Sequence, residues 1–195
     1  MSYNLSNAIQ DQGEAITMDR VFRSVYFIVA IAQTLLGLGF ALQITFITQI
    51  WPLPNTSPLS LIFIGSIFMA AAASTLWCLF FGENGSLAGV NLDYIAIFVP
   101  VMIYFFMIAN GNAVMIIVPV LGVLFGAVGL WWSLRFPIKD RRPQPMAARV
   151  AFSVFLVALI IVGTALVLQT PNILPWKVSP EGSTVYGWMF LGAAI

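Results

Sequence analysis

Long apolar stretches alternate with short polar segments along the whole chain. Lysine, arginine, aspartate and glutamate are absent from 24–82, from 94–134 and from 150–176. A helix of about 20 apolar residues spans the hydrocarbon core of a bilayer, and each charge-free stretch reaches that length. The first two stretches are long enough for two helices each. The pattern therefore predicts five membrane-spanning helices.

Clusters of proline, glycine and asparagine separate the apolar stretches and predict the turns between the helices. The predicted spans are about 21–46, 59–81, 92–108, 113–134 and 147–168. A last apolar segment, 185–195, is too short to cross a bilayer as a helix. We expect it to be the start of a sixth span, with the chain a fragment of a longer protein. The alternative is a short helix lying at the membrane surface.

The fold class follows from the solvent around these segments. Backbone groups in hydrocarbon must pair within the protein, so only helices or a closed barrel can span it. A barrel needs strands of alternating polarity, whereas residues 95–99 are apolar throughout. The sequence predicts an all-α polytopic transmembrane helical bundle. Residues 1–20 are predicted to be a cytoplasmic segment and residues 21–195 the membrane domain.

The distribution of basic residues predicts the orientation. Seven of the eight lysines and arginines fall on one side of the predicted topology. Cytoplasmic loops carry an excess of these residues, so we expect the N-terminus to be cytoplasmic, in a plasma or inner membrane. The residues on that side are Arg20, Arg23, Arg135, Lys139, Arg141, Arg142 and Arg149. Those from Arg135 to Arg149 are also candidates for contact with anionic lipids, the alternative being that they only fix topology.

Composition restricts the function classes. Hydrophobic residues make up 61% of the chain and charged residues 8%, against roughly 25% charged in soluble domains. The net charge of +1 and the lack of interleaved basic and aromatic residues argue against nucleic acid as a partner. The chain has no histidine, which is the commonest metal ligand and general base. We expect no cofactor, no metal and no catalytic set.

Two predicted spans carry faces of small or polar residues. Gln33, Gly37 and Ala41 share one side of span one, and Gly122 and Gly126 share one side of span four. Small residues let membrane helices approach closely, so these faces are candidates for packing. The alternative is that they line a polar cavity.

Pro100 and Pro119 lie inside spans three and four, at similar distances from the turn at 110–112. Two kinks at similar depth would open a cavity near the middle of the membrane, as broken helices do in transporters. The alternative is that the prolines are merely tolerated, since membrane helices accept them often.

Asp93 is the acidic residue nearest to the apolar part of the chain. At the predicted start of span three its oxygens would cap free N–H groups of the helix. The alternative is an ionisable site within the membrane.

The sequence favours a non-enzymatic multi-pass membrane protein, an accessory or scaffold component that packs against other helices, a second copy or lipids. The alternative is part of a transporter for a small, weakly polar solute, with a cavity between spans one, three and four. A third hypothesis is a lipid-modifying enzyme, which would have to use Asp93 together with the basic residues between spans four and five.

Overall fold

The computed structural model describes residues 3–54, 56–109, 111–140 and 142–195, and the side chains from Thr17 onward. The regular secondary structure in these ranges is helical, and no β-strand occurs within them. The helices are α1 Tyr3–Ala41, α2 Thr45–Thr48, α3 Pro58–Phe81, α4 Leu87–Ile108, α5 Ala113–Ser133, α6 Met146–Val167 and α7 Pro180–Gly192. A 3₁₀ turn, Asn84–Ser86, leads directly into α4.

Five of these segments are long and apolar enough to cross a membrane, which confirms the all-helical prediction. They are Thr17–Ala41, Pro58–Phe81, Asn84–Ile108, Ala113–Ser133 and Met146–Val167. Many large apolar side chains point away from the bundle, including Phe80, Met107 and Phe152. An apolar surface of this extent suits hydrocarbon rather than water.

Several helix boundaries differ from the predicted ones. α1 begins at Tyr3, so the predicted N-terminal segment continues into the first span as one helix. It ends at Ala41, before the predicted 46, and Gln43 beyond it adopts a left-handed φ of 54°. α7 begins at Pro180 rather than near 185, because Ser179 accepts a hydrogen bond from the Gly182 N–H and caps the helix.

The start of α4 is the difference that matters most for function. The glycines in the segment 82–86 predicted a loop, and span three was predicted to begin at about 92, yet the helix begins at Leu87. Glycine is a helix breaker by propensity, but tertiary context overrides this preference. Here the backbone carbonyl of Phe136 would lie 2.6 Å from a Cβ at Gly85, so the neighbouring loop packs directly on this turn.

The core is formed by α1 packing on α3, α4 packing on α5, and α7 packing on both α4 and α6. One buried cluster includes Phe40, Ile64 and Tyr186, and a second includes Tyr26 and Trp132. α3 and α4 make few direct contacts with each other although they are consecutive in the chain.

Candidate functional site

The small-residue face of α1 is a packing face against α3. A Cβ on Gly37 would lie 2.9 Å from the backbone oxygen of Gly65, and a Cβ on Gly65 would lie 2.9 Å from the backbone nitrogen of Ala41. The two backbones therefore touch at this crossing. Gly37 and Ala41 are used to bring the helices together, as small residues commonly are in membranes.

The corresponding face of α5 packs against α4. A Cβ on Gly122 would collide with the ring of Phe98, and one on Gly126 would lie 3.0 Å from the backbone oxygen of Asn91. Both helices continue without a break through their prolines. Pro119 is fully buried and Pro100 is half-buried.

A buried polar network joins α1, α4 and α5. The Tyr26 hydroxyl donates to Oδ1 of Asn91 at 2.7 Å, and Nδ2 of Asn91 donates to Oγ of Ser133 at 3.4 Å. One turn further along α4, the amide of Gln33 donates to the Tyr94 hydroxyl. Gln33 is thus satisfied by a neighbouring helix. Sequence reasoning missed Asn91 because it placed this residue just before the helix.

Aromatic rings occupy the space where the sequence suggested a cavity between spans one, three and four. The Tyr94 ring lies 5.2 Å from that of Phe125 and 5.6 Å from that of Phe98, measured between centroids. Tyr26 also lies 5.1 Å from Phe125. These side chains fill the interior of the junction of α1, α4 and α5, and the groove between α1 and α5 has Tyr26 and Phe125 in its lining.

The groove with the most distinctive chemistry lies between α3 on one side and α4, α6 and α7 on the other. Its volume is about 500 Å³. We name it the Asp93 groove. Its walls include Ser66, Ala70, Ser74, Asp93, Phe155 and Phe190. Three of these are small residues of α3 that lie four positions apart and so share one helix face.

Asp93 is the polar centre of this groove. Since α4 begins at Leu87, Asp93 lies inside the helix and does not cap it, which corrects the expected role at the helix start. It is about 9 Å along the axis from Leu87 at a rise of 1.5 Å per residue. Its Oδ1 atom is buried and has no hydrogen-bond partner. Buried side-chain oxygens normally have a partner, so this atom stands out.

The Asp93 groove is closed at the end that points away from the α3–α4 connection. There the Phe63 ring stacks on Phe190 with 5.3 Å between centroids and meets Tyr186 at 5.4 Å. Beyond them, the indole N–H of Trp176 donates to Oγ of Ser60 at 2.9 Å. These contacts pack α3 against α7 and the 170–180 loop at the far end of the groove.

The basic residues predicted to contact anionic lipids have different surroundings in the structure. Arg142 forms a 2.6 Å ion pair with Asp140, and its hydrogen bonds lower the pKa of that carboxyl to about 2. The Arg135 guanidinium lies 3.5 Å above the Trp131 ring. Lys139 and Arg149 are exposed, and Arg141 falls outside the described residues. Arg135 instead shares a pocket with Arg20 and Arg23 of α1.

Metal binding has no obvious site in the part of the chain that is described. Within those ranges, no three residues among histidine, cysteine, aspartate and glutamate come together as potential ligands. Cys78 is buried in α3 with no second cysteine in the chain.

Comparison with known proteins gave no match: the chain matches no family model, no curated protein and no solved structure. The residues of the Asp93 groove and their geometry therefore carry the functional conclusion.

Proposed function

We propose that this protein is a non-enzymatic, multi-pass membrane subunit that acts as an accessory or scaffold component. In this proposal, the Asp93 groove receives a transmembrane helix of another protein, and that helix places a cationic or hydrogen-bond-donating side chain opposite Asp93. The observation that carries the proposal is the buried, unpaired Oδ1 atom of Asp93 in an otherwise apolar groove.

An unpaired carboxylate within a membrane span is energetically unfavourable. Insertion measurements place the penalty for a charged side chain at the bilayer centre at roughly 2.5–3.5 kcal/mol, and Asp93, which lies nearer the start of α4, should cost less than this. A donor on a partner helix would offset part of that penalty. Asp93 therefore supplies both a reason for association and a specific contact within the groove.

The shape of the groove suits a helix. Ser66, Ala70 and Ser74 form the small-residue face of α3 that neighbouring helices leave uncovered, whereas the faces of α1 and α5 are used inside the bundle. The hydroxyls of Ser66 and Ser74 donate to backbone oxygens of α3 itself. A partner helix can therefore approach this face closely.

The charge pattern favours a different protein over a second copy. The apolar stretches 24–82, 94–134 and 150–176 contain no lysine or arginine. The spans of a second copy contain Arg20, Arg23 and Arg149 as cations. Arg23 already donates to the backbone oxygen of Leu79 within the bundle. Arg20 and Arg149 lie about 4.5 Å from the start of their spans, which is less deep than the about 9 Å of Asp93 in α4. We further propose that the N-terminus is cytoplasmic and that the membrane is a plasma or inner membrane. Seven of the eight lysines and arginines lie on the same side of the predicted topology as the N-terminus.

Site-specific photocrosslinking in the native host tests the proposal. A photoreactive residue replaces Ser74 inside the groove, and a control chain carries it at Val157, an outward-facing position of α6. We expect Ser74 to give an adduct with one particular membrane protein, identified by mass spectrometry, and Val157 to give none. Asp93→Ala should reduce the adduct at least fivefold.

Three outcomes would contradict this proposal. Adducts to lipid alone would leave the groove as a lipid-facing surface. Adducts only to a second copy would replace the partner protein by a homo-oligomer. Equal adduct yields from the parent and Asp93→Ala chains would remove the role of the carboxylate.

Transport by the protein alone is the competing function. A solute would need a path through the bundle, yet aromatic contacts close the far end of the Asp93 groove. We expect liposomes containing only this protein to take up small, weakly polar solutes at the rate of empty liposomes. Faster uptake that is abolished by Asp93→Ala would favour the transporter.

A further inference from the structure

Aromatic side chains connect the membrane-entry end of α1 to the end of α5. The rings of Phe22 and Trp132 stack with 5.1 Å between centroids and 7° between planes. Tyr26 lies 5.5 Å from Trp132 on one side, and Phe136 lies 5.0 Å from it on the other. Trp132 is fully buried by these contacts. This packing fixes the position of the charged residues around it.

Next to Trp132 lies a basic pocket of about 580 Å³, which we name the arginine pocket. It is lined by Met18, Asp19, Arg20, Arg23, Trp132, Arg135 and Phe136. Three arginines and one aspartate give the lining a formal charge of +2. Arg20 and Arg23 belong to α1, and Arg135 lies in the turn that follows α5, far away in sequence.

Among the residues whose side chains are described, none pairs with these three arginines as an acidic partner. The one ion pair among the described residues joins Arg142 to Asp140. Arg23 donates to the backbone oxygen of Leu79 at 3.0 Å, and Arg135 lies on the Trp131 ring. These contacts hold the guanidinium groups of Arg23 and Arg135 in place without neutralising them. A guanidinium presents a fork of N–H donors that matches a phosphate.

Asp19 is the one acidic residue in the lining of the arginine pocket, and its negative charge would repel a bound anion. Its Oδ1 atom is buried and has no hydrogen-bond partner. This atom would accept a hydrogen bond from a hydroxyl of a bound headgroup. The pocket as a whole therefore suits a phosphodiester that also carries hydroxyl groups.

An apolar groove of about 450 Å³ runs along the same two helices and meets the arginine pocket. Its walls include Val21, Val25, Leu121, Leu124 and Val128, and its floor includes Tyr26 and Phe125. Phe22 lines this groove and stacks on Trp132, which lines the pocket, so the two are adjacent. A basic pocket beside an apolar groove has the polarity of an anionic phospholipid.

We propose that the seam between α1 and α5 is a binding site for an anionic glycerophospholipid. The phosphate lies in the arginine pocket against Arg20, Arg23 and Arg135, and one acyl chain lies along Leu121, Leu124 and Val128. This site is separate from the Asp93 groove, and it stands whether or not a partner helix binds there.

Lipid titration of the purified full chain in detergent, followed by native mass spectrometry, tests the charge requirement. The probes are phosphatidylglycerol and phosphatidylcholine with identical acyl chains. Removing one arginine should weaken phosphatidylglycerol binding about fivefold, which corresponds to about 1 kcal/mol per basic residue. The double variant Arg20→Gln/Arg135→Gln should therefore bind about 25-fold more weakly. The control Arg142→Gln/Arg149→Gln makes the same charge change elsewhere and should stay within twofold of the parent.

A second pair of variants tests the acyl chain. Leu124→Trp fills the apolar groove and keeps all three arginines, whereas Val157→Trp introduces the same side chain on an outward face of α6. We expect Leu124→Trp to weaken phosphatidylglycerol binding at least tenfold and Val157→Trp to leave it unchanged. If the double arginine variant fails to fold, this pair decides the question.

Competition with inorganic phosphate and with glycerol phosphate separates a lipid from a free anion. We expect neither to displace phosphatidylglycerol at equal concentration, because neither has an acyl chain. Full displacement by phosphate, with no effect of Leu124→Trp, would show a simple anion site and overturn the proposal. Equal affinity for phosphatidylcholine would also overturn it.

Discussion

Tyr26 on α1 donates its hydroxyl to Oδ1 of Asn91 on α4 at 2.7 Å, and this bond crosses the interior of the bundle. Gly129 of α5 makes room for it, since a Cβ at that position would collide with the Tyr26 hydroxyl. Asn91 is fully buried and also donates to Ser133. Three helices of membrane-spanning length thus meet at one polar side chain.

The Tyr26–Asn91 bond should contribute measurably to stability. Hydrogen bonds between membrane helices contribute about 0.6 kcal/mol on average and at most about 1.7 kcal/mol. We expect Tyr26→Phe to lower the free energy of unfolding in detergent by about 1 kcal/mol. Ser66→Ala is the control because its exposed hydroxyl bonds only to its own helix. Equal stability of the two variants would contradict a stabilising role for this bond.

Substitution by alanine should affect thermal stability differently at Gly65 and at Gly89. A Cβ on Gly65 would lie 2.6 Å from the backbone oxygen of Gly37, whereas a Cβ on Gly89 would meet nothing within 4 Å. Overpacking costs about 1–3 kcal/mol, so Gly65→Ala should lower the thermal midpoint clearly. Gly89→Ala should leave the midpoint unchanged or raise it, since alanine is the better helix former. Thermal unfolding of both variants in one detergent provides the comparison.

The Asp140–Arg142 pair predicts a specific pH dependence. Arg142 lowers the pKa of Asp140 from 3.8 to about 2 through its hydrogen bonds. A lowered carboxyl pKa stabilises the folded state at pH values above the ordinary pKa of the group. This contribution disappears as the pH falls through about 2. Both side chains are exposed, so we expect no measurable change in overall stability from this pair.

The titration itself can be followed through the carboxyl carbon of Asp140 by NMR. Its midpoint should lie near pH 2 in the parent and rise towards 3.8 in Arg142→Gln. Arg149→Gln serves as the control because Arg149 contributes nothing to this shift. A parent midpoint near 3.8 would show that the pair does not form in solution.

The predicted orientation can be tested with single cysteines. Cys78→Ala removes the only cysteine. A new cysteine then replaces either Ile138 or Thr170, which are exposed and lie beyond opposite ends of α6. With a cytoplasmic N-terminus, an impermeant maleimide applied to intact cells should label position 170. Position 138 should react only after permeabilisation. The reverse pattern would invert the topology.

Asp93 illustrates where local sequence reasoning reached its limit. The glycines before Asp93 suggested that the helix starts later than it does. An acidic residue at a helix start is expected to cap the helix, so this role was assigned to Asp93. Contacts between Gly85 and the distant residues Phe136 and Pro137 accompany the earlier start of α4. Because those contacts are not local, the pattern around Asp93 could not reveal that its carboxylate lies within the span.

The sequence by itself determined that the chain forms apolar helices of membrane-spanning length. That property depends on the composition of each segment, because hydrocarbon forces the backbone to pair within the segment. Only the tertiary structure decided which faces meet, because that depends on side chains far apart in the chain. The packing of Gly37 on Gly65, the convergence of Arg23 with Arg135, and the unpaired oxygen of Asp93 are of this kind.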